Sequence, residues 1–377
     1  MTQKLHILFL CGWFPSRVSP TNGDFIERHA KAVATKHFVT LLHIITDKNA
    51  TENIEIVSKK ESNLTTHIAY LKKADNKLHK ISLFIKAFFA LLKKIDIIDV
   101  VHLNEIFPFG MFSIYLKWFQ KKPYIISEHW TGYHQPQAEN ISFFQKLISK
   151  KITKNAAFVC PVSDNLKTSM QKIGLKGEYK KVPNVVDTDL FKPLKKETEL
   201  FSIIHISNLM DVHKNISGML YVAKELENKI GAFTWQFIGG TSKNYLQLIN
   251  KLNFSSAKIE FINHIPQKKL VNHLQSSNVF TLFSNYENLP CVILESFSCG
   301  VPVISTNVGG IKEYFPKDFG ELIEQNNSEK LLESLLYYYN NPEIDKNIMH
   351  NYAVEKFSKK VIANQFSELY FKALNNF

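Results

Sequence analysis

At 377 residues the chain is too long for one ordinary hydrophobic core and fits two domains of roughly 150–200 residues each. Apolar residues at 45%, charged residues at 21% and the absence of repeats or low-complexity tracts exclude a disordered, solenoid or fibrous chain. The net charge of +12 is uneven, with 27 Lys and Arg against 16 Asp and Glu in residues 1–190, and 19 against 18 in residues 191–377. No helix-turn-helix, zinc-finger or RNP pattern accompanies this excess, so nucleic acid is set aside and an anionic membrane surface or an anionic acceptor is left to explain it.

In chain order, short apolar runs alternate with amphipathic segments, the pattern of a parallel sheet covered by helices. The first half predicts strands at 4–10, 39–45, 100–103, 124–127 and 158–161, and helices at 25–35, 78–95, 109–119, 143–151 and 165–173. The opening apolar run is too short to span a bilayer and reads as a buried first strand. The rhythm then restarts, with strands at 201–206, 235–238, 259–262, 279–282 and 303–305 and helices at 216–228, 242–252, 267–276, 291–299 and 329–339. Charge, proline and a fresh strand coincide at Lys192-Pro193-Leu194-Lys195-Lys196, which marks a hinge. The expected domains are therefore 1–190 and 191–355, with 356–377 a packing helix that crosses back to the first domain. Each domain reads as a doubly wound α/β sheet, and ligands belong at the carboxyl ends of such strands.

Cys11, Cys160, Cys291 and Cys299 show no CxxC spacing and no histidine partner, so they read as reduced thiols of a cytosolic protein. Asp96 and Asp99 are expected to cap the strand that follows them, not to hold a metal. The segment 77–95 joins lysines to a broad apolar face. It suits either a helix lying on an anionic membrane or a buried helix with lysine ends.

The chemistry concentrates in 284–295. Glu287 precedes a loop, Asn288-Leu289-Pro290, that leads into a helix N-terminus, whose free N–H groups suit a diphosphate or sugar hydroxyls. Glu295 lies eight positions on, within that helix, and its carboxylate can accept two hydrogen bonds from a ribose diol. Two such glutamates alone also describe a solvated helix. The segment continues with Cys299-Gly300-Val301-Pro302-Val303 and then Gly309-Gly310-Ile311, where a second glycine loop is placed for close approach of backbone to phosphate.

With these motifs, and with Val162-Ser163, Pro183-Asn184, Val186-Asp187 and Glu313, the sequence resembles the glycosyltransferases of family 4 over nearly its whole length. The resemblance implies the GT-B fold, two Rossmann-like domains facing across a cleft, and retaining transfer from a UDP- or GDP-sugar to a glycan or lipid-linked acceptor. It implies no cofactor and no metal. It assigns the ribose to Glu295, the transferred sugar to Glu287 and His129, and the donor diphosphate to Lys214, with Gly23 and residues 288–290 nearby. The family places an arginine a few residues before that lysine; here Asn208 stands instead, with His213 beside the lysine. Trp13 and Arg17 are candidates for the acceptor, or equally a buried aromatic and a solvated arginine. Asp24 is expected to cap the helix after Gly23, Glu128 to orient His129, and His102 to be a weaker candidate. A nucleotide-sugar epimerase and a non-catalytic sugar-nucleotide-binding partner of another transferase share these features. The implied place is the cytoplasm, peripheral on the inner face of the membrane.

Overall fold

The computed structural model describes residues 3–194 and 199–377, so Lys195 and Lys196 of the expected hinge lie outside the described residues. The chain divides into two compact units, one running to Val185 and including Lys359–Phe377, the other Val186–Ser358.

The first unit contains β1 (His6–Cys11), α1 (Asp24–Ala34), β2 (Phe38–Asp47), β3 (Ile54–Glu61), β4 (Leu64–Lys72), α2 (Lys77–Leu92), β5 (Val100–Asn104), α3 (Gly110–Phe119), β6 (Tyr124–Glu128), α4 (Phe143–Asn155), β7 (Phe158–Pro161) and α5 (Asp164–Lys172). Its sheet has the order β3-β4-β2-β1-β5-β6-β7. All pairs are parallel except β3 with β4. β1 lies near the middle because both its faces are apolar; Ile7, Leu8, Phe9 and Leu10 are all buried. Ile7 and Phe9 join Ile26, Ala30 and Val33 of α1 in one core. The other face takes α2, whose Phe88 stacks on Phe112 of α3 at 3.8 Å. α3 in turn packs on α4 so closely that a Cβ at Gly110 would fall 2.5 Å from Ile152 Cδ1.

The β3–β4 hairpin is absent from the sequence expectations. β3 is an edge strand that exposes Ser58, Lys59, Lys60 and Glu61, so it lacks the apolar run that marks its neighbours. Asp99 accepts from the His6 N–H at 2.7 Å and so ties the entrances of β1 and β5 together.

The second unit contains β8 (Ser202–Ile206), α6 (Asp211–Lys214), α7 (Ile216–Ile230), β9 (Thr234–Ile238), α8 (Leu246–Leu252), β10 (Lys258–Ile262), α9 (Gln267–Gln275), β11 (Val279–Leu282), α10 (Cys291–Cys299), β12 (Val303–Thr306), β13 (Gly320–Ile323), α11 (Ser328–Asn340) and α12 (Lys346–Phe357). The sheet is parallel in the order β10-β9-β8-β11-β12-β13. Strand order reverses between β8 and β11, and the crevice at their carboxyl ends is where a doubly wound sheet takes its ligand. The single helix expected at 242–252 is instead a 3₁₀ turn, Ser242–Asn244, followed by α8.

The final helix, α13 (Lys359–Asn375), belongs to the first unit. It places Ile362, Phe366, Leu369 and Tyr370 in the core shared with α1 and β1. No helix among the described residues is long and apolar enough to cross a membrane.

Candidate functional site

In the second unit the loops after β8 and β11 are sewn together at the point where strand order reverses. His205, on β8, is buried, and its ring bonds the Thr281 carbonyl through Nδ1 at 2.9 Å and Ser207 Oγ through Nε2 at 2.7 Å. A carbonyl can only accept, so Nδ1 carries the proton and Nε2 accepts from the hydroxyl. Ser207 Oγ then accepts from the Leu209 N–H at 3.0 Å. Burial pushes the His205 pKa down to about 3, which keeps the ring neutral. One loop further on, Asn285 donates from its backbone to the His213 carbonyl at 2.8 Å and from its side chain to the Val212 carbonyl at 3.0 Å.

This stitching delivers two charged side chains to one place: Lys214 at the end of α6 donates from Nζ to Glu287 Oε1 in a largely buried ion pair. Asn288 and Leu289 are buried beside it, and Pro290 leads into α10, whose N-terminus has no side-chain cap. The positive end of a helix dipole favours an anionic ligand. Glu295, in the second turn of α10, is fully buried. Asn208 is exposed and its Oδ1 accepts from the Met210 N–H at 3.3 Å, so it closes its own turn and adds no cation.

The second glycine loop packs against the segment that carries Glu287. Gly309 has φ +59°, and a Cβ there would lie 2.0 Å from the Glu287 carbonyl oxygen. Gly310 donates to the Asn288 carbonyl at 2.8 Å. The pair makes room for the protein's own backbone and fixes the segment that carries Glu287. Glu321 is likewise structural, bonded to Ser334 at 2.5 Å and Lys330 at 2.9 Å.

In the first unit the corresponding reversal lies between β1 and β5. Gly12 follows β1, and a Cβ on it would meet the Phe107 carbonyl oxygen at 2.5 Å. Gly23 has φ +72°, and its Cβ would sit 2.5 Å from the Trp13 carbonyl carbon, so the loop between them folds onto itself. Gly23, not Asp24, is the N-cap of α1; Asp24 opens the helix and pairs with Arg28 at 2.8 Å. Trp13 is partly buried, with its ring edge-on to Phe25 at 6.2 Å.

Arg17 is exposed, as a solvated arginine would be, but its guanidinium is also held by protein partners. Its guanidinium bonds Asp47 at 2.7 Å and both carboxylate oxygens of Glu55 at 2.6 Å, and it lies 3.8 Å over the Tyr70 ring. These partners stand on β2, β3 and β4, so Arg17 anchors the β1 loop to the hairpin. A bidentate, stacked arginine is rigid and already charge-matched.

His129 is buried against Phe25 at 4.5 Å and His29 at 5.4 Å, and burial holds its pKa well below the usual histidine range. Glu128 organises the backbone around it, not the imidazole. It accepts from the N–H groups of His129 at 2.9 Å, Trp130 at 3.0 Å and Ile106 at 3.2 Å. Burial nevertheless pushes the Glu128 pKa up to about 7. His102 is structural: its two nitrogens bond Tyr370 Oη and Ser127 Oγ, both at 2.7 Å. Glu105, which nothing in the sequence singles out, follows β5 at φ +66° and is buried, with its pKa raised by burial and by Glu128.

Two family models match the chain, one described as Glycosyltransferase Family 4 over residues 25–190 and one as Glycosyl transferases group 1 over residues 186–355. A curated relative from Arabidopsis thaliana, one of the subunits of phosphatidylinositol N-acetylglucosaminyltransferase, is 26% identical over 199 residues, which is 51% of this chain and 44% of that protein. The chain spans just under half the length of the first curated relatives it matches. Sucrose-phosphate synthase from Thermosynechococcus elongatus shares the fold with a TM-score of 0.80 at 16% identity, over 99% of this chain and 100% of that one. HepE from Anabaena, solved with UDP and glucose, gives 0.73 at 17% identity, over 97% and 98%.

Proposed function

We propose, because this chain belongs to glycosyltransferase family 4 and has the GT-B fold, that it transfers a sugar from a nucleoside-diphosphate donor to an acceptor hydroxyl with retention at the anomeric carbon. The observation that carries this reading is the Lys214–Glu287 pair at the reversal of the second sheet, next to the N-terminus of α10. A diphosphate there gains the lysine charge and the helix N–H groups, both fixed before the reaction begins. Glu295 takes the ribose diol, and Glu287 the transferred sugar. His129, neutral at pH 7, is assigned to that sugar as a hydrogen-bonding partner.

In the reaction the acceptor oxygen forms its bond to the anomeric carbon as the bond to the diphosphate oxygen breaks on the same face. The departing phosphate takes the acceptor proton. Lys214 and the α10 N-terminus stabilise the charge on the leaving group, so no metal is invoked. The first unit is assigned the acceptor and the second the donor. A UDP- or GDP-sugar is the proposed donor; the HepE structure with UDP and glucose supports the uridine form. The proposed acceptor is a glycan or a lipid-linked group, in polysaccharide or glycolipid synthesis on the cytoplasmic face of a membrane; the similarity to a phosphatidylinositol N-acetylglucosaminyltransferase subunit supports the lipid acceptor.

The test is a panel of nucleotide sugars assayed by released nucleotide, with the anomeric configuration of the product read by NMR. Transfer with retention, undiminished by EDTA, is expected. An inverted product or a strict requirement for Mg²⁺ or Mn²⁺ would overturn the mechanism, and epimerised donor without transfer would show an epimerase.

A further inference from the structure

The helices α2, α3 and α4 share one face of the first sheet, linked by the Phe88–Phe112 stack and the Gly110–Ile152 contact. Among the described residues they carry nine of the exposed large apolar side chains, although such a surface on a soluble domain is normally scattered. They also contain eight lysines and no aspartate or glutamate. Each helix leaves the carboxyl end of one parallel strand and returns to the start of the next, so it runs opposite to the strands. Its first turn therefore stands at the edge of the sheet that also carries Gly12, Glu105 and His129.

At that edge stand three of the four most exposed apolar residues of these helices, Leu78 at 80%, Phe144 at 74% and Phe143 at 70%; the other, Phe119 at 73%, ends α3 at the far edge. The phenylalanines are not on a fraying end. A capping box holds the start of α4, with Ser142 Oγ accepting from the Gln145 N–H at 3.3 Å and Gln145 Oε1 from the Ser142 N–H at 3.1 Å. Further along, Lys151 covers the half-exposed Trp118 ring at 4.8 Å.

We infer that the first turns of α2 and α4 are a docking edge for an anionic lipid bilayer, with Phe143 and Phe144 as the inserted anchors and the lysines of α2 and α4 against the headgroups. The helices themselves carry cations and no acids; Asp75 and Glu139 stand exposed just before α2 and α4, but the eight lysines outnumber them. Apolar tips in a net cationic setting match what an interfacial helix presents to such a surface. A second copy of this chain fits badly, because a self-paired face would bring lysine against lysine. The inference deepens the proposed membrane-proximal transfer and rests on it: docking by this edge brings the strand ends of the first unit to the lipid surface, where a lipid-linked acceptor would be met.

The experiment is sedimentation of the full chain with phosphatidylcholine vesicles, with or without 30% phosphatidylglycerol as the probe lipid. Binding is expected only with phosphatidylglycerol, falling as salt is raised toward 0.5 M. F143S/F144S is expected to weaken it at least tenfold, as is K80E/K86E/K150E, while donor hydrolysis in vesicle-free buffer stays at the wild-type rate. Equal binding by F143S/F144S, or no binding by the wild type, overturns the inference. So does a wild-type dimer in velocity sedimentation that F143S/F144S dissolves. Vesicle binding without any donor turnover would leave the docking edge standing and count against the transferase reading alone.

Discussion

Glu295 is the side chain whose loss the donor should feel most directly. Glu295→Ala is expected to weaken nucleotide-sugar binding by about 1.5–3 kcal/mol, the worth of hydrogen bonds to a charged group. Calorimetry on the folded variant checks it, and an unchanged affinity would remove the ribose from this residue. Lys214→Ala is expected to cut turnover about 10²-fold or more, on the order of 3 kcal/mol of lost leaving-group stabilisation. Steady-state rates at saturating donor decide that point. At this scale the sequence shows which residues are unusual better than it shows why. Gly23 and Gly309 stand out as glycines, but the carbonyls they accommodate come from Trp13 and Glu287, 10 and 22 positions away. Glu105 and His205 carry no signal at all, because what sets their character is burial and partners distant in sequence.

Elements were legible where both faces of a strand are buried. The apolar runs at β7 and β11 and the helix α10 lie where the pattern puts them, since a continuous apolar run bounded by polar turns has few other uses. The β3–β4 hairpin and α12 were not legible. β3 is a lysine-bearing edge, and α12 leaves Ile348 and Val354 exposed while burying Met349 and Ala353, so no single apolar stripe marks it. The hairpin nevertheless matters, because its Glu55 and Tyr70 hold Arg17. Across the first sheet, α13 contributes more than apolar packing: Tyr370 Oη bonds the buried His102. Tyr370→Phe keeps the ring and removes that bond, leaving a buried imidazole nitrogen without its partner. A loss of about 1–3 kcal/mol is expected, measured by urea unfolding; a change within error would mean that packing alone holds the helix.

For the molecule as a whole, the buried histidines set a pH limit. Burial pushes the His29 pKa from 6.5 down to about 4, and holds His102 and His129 well below the usual range. The unfolded chain binds these protons at higher pH than the folded one, so folding is favoured fully above about pH 6.5 and progressively less as pH falls toward 4. For His29 alone the loss is on the order of 3 kcal/mol, at about 1.4 kcal/mol per pKa unit. The raised pKa values of Glu128 and Glu105 act in the opposite sense over the same range, so the test is a comparison. The urea midpoint should fall less from pH 7.5 to 4.5 in His29→Asn than in the wild type, and equal changes would show that the ring is not neutral in the fold. The return of α13 also orders events on the ribosome. β1 to β7 are translated before Phe366 and Tyr370, with the whole second unit between them. The nascent sheet therefore waits with α1 over Ile7 and Phe9 but without the cover that Phe366 and Tyr370 give His102, while the second unit, one unbroken span, is free to fold. A chain that stalls before α13 is expected to leave His102 and the sheet around it open to chaperones and proteases, so the last helix closes the core of the first unit.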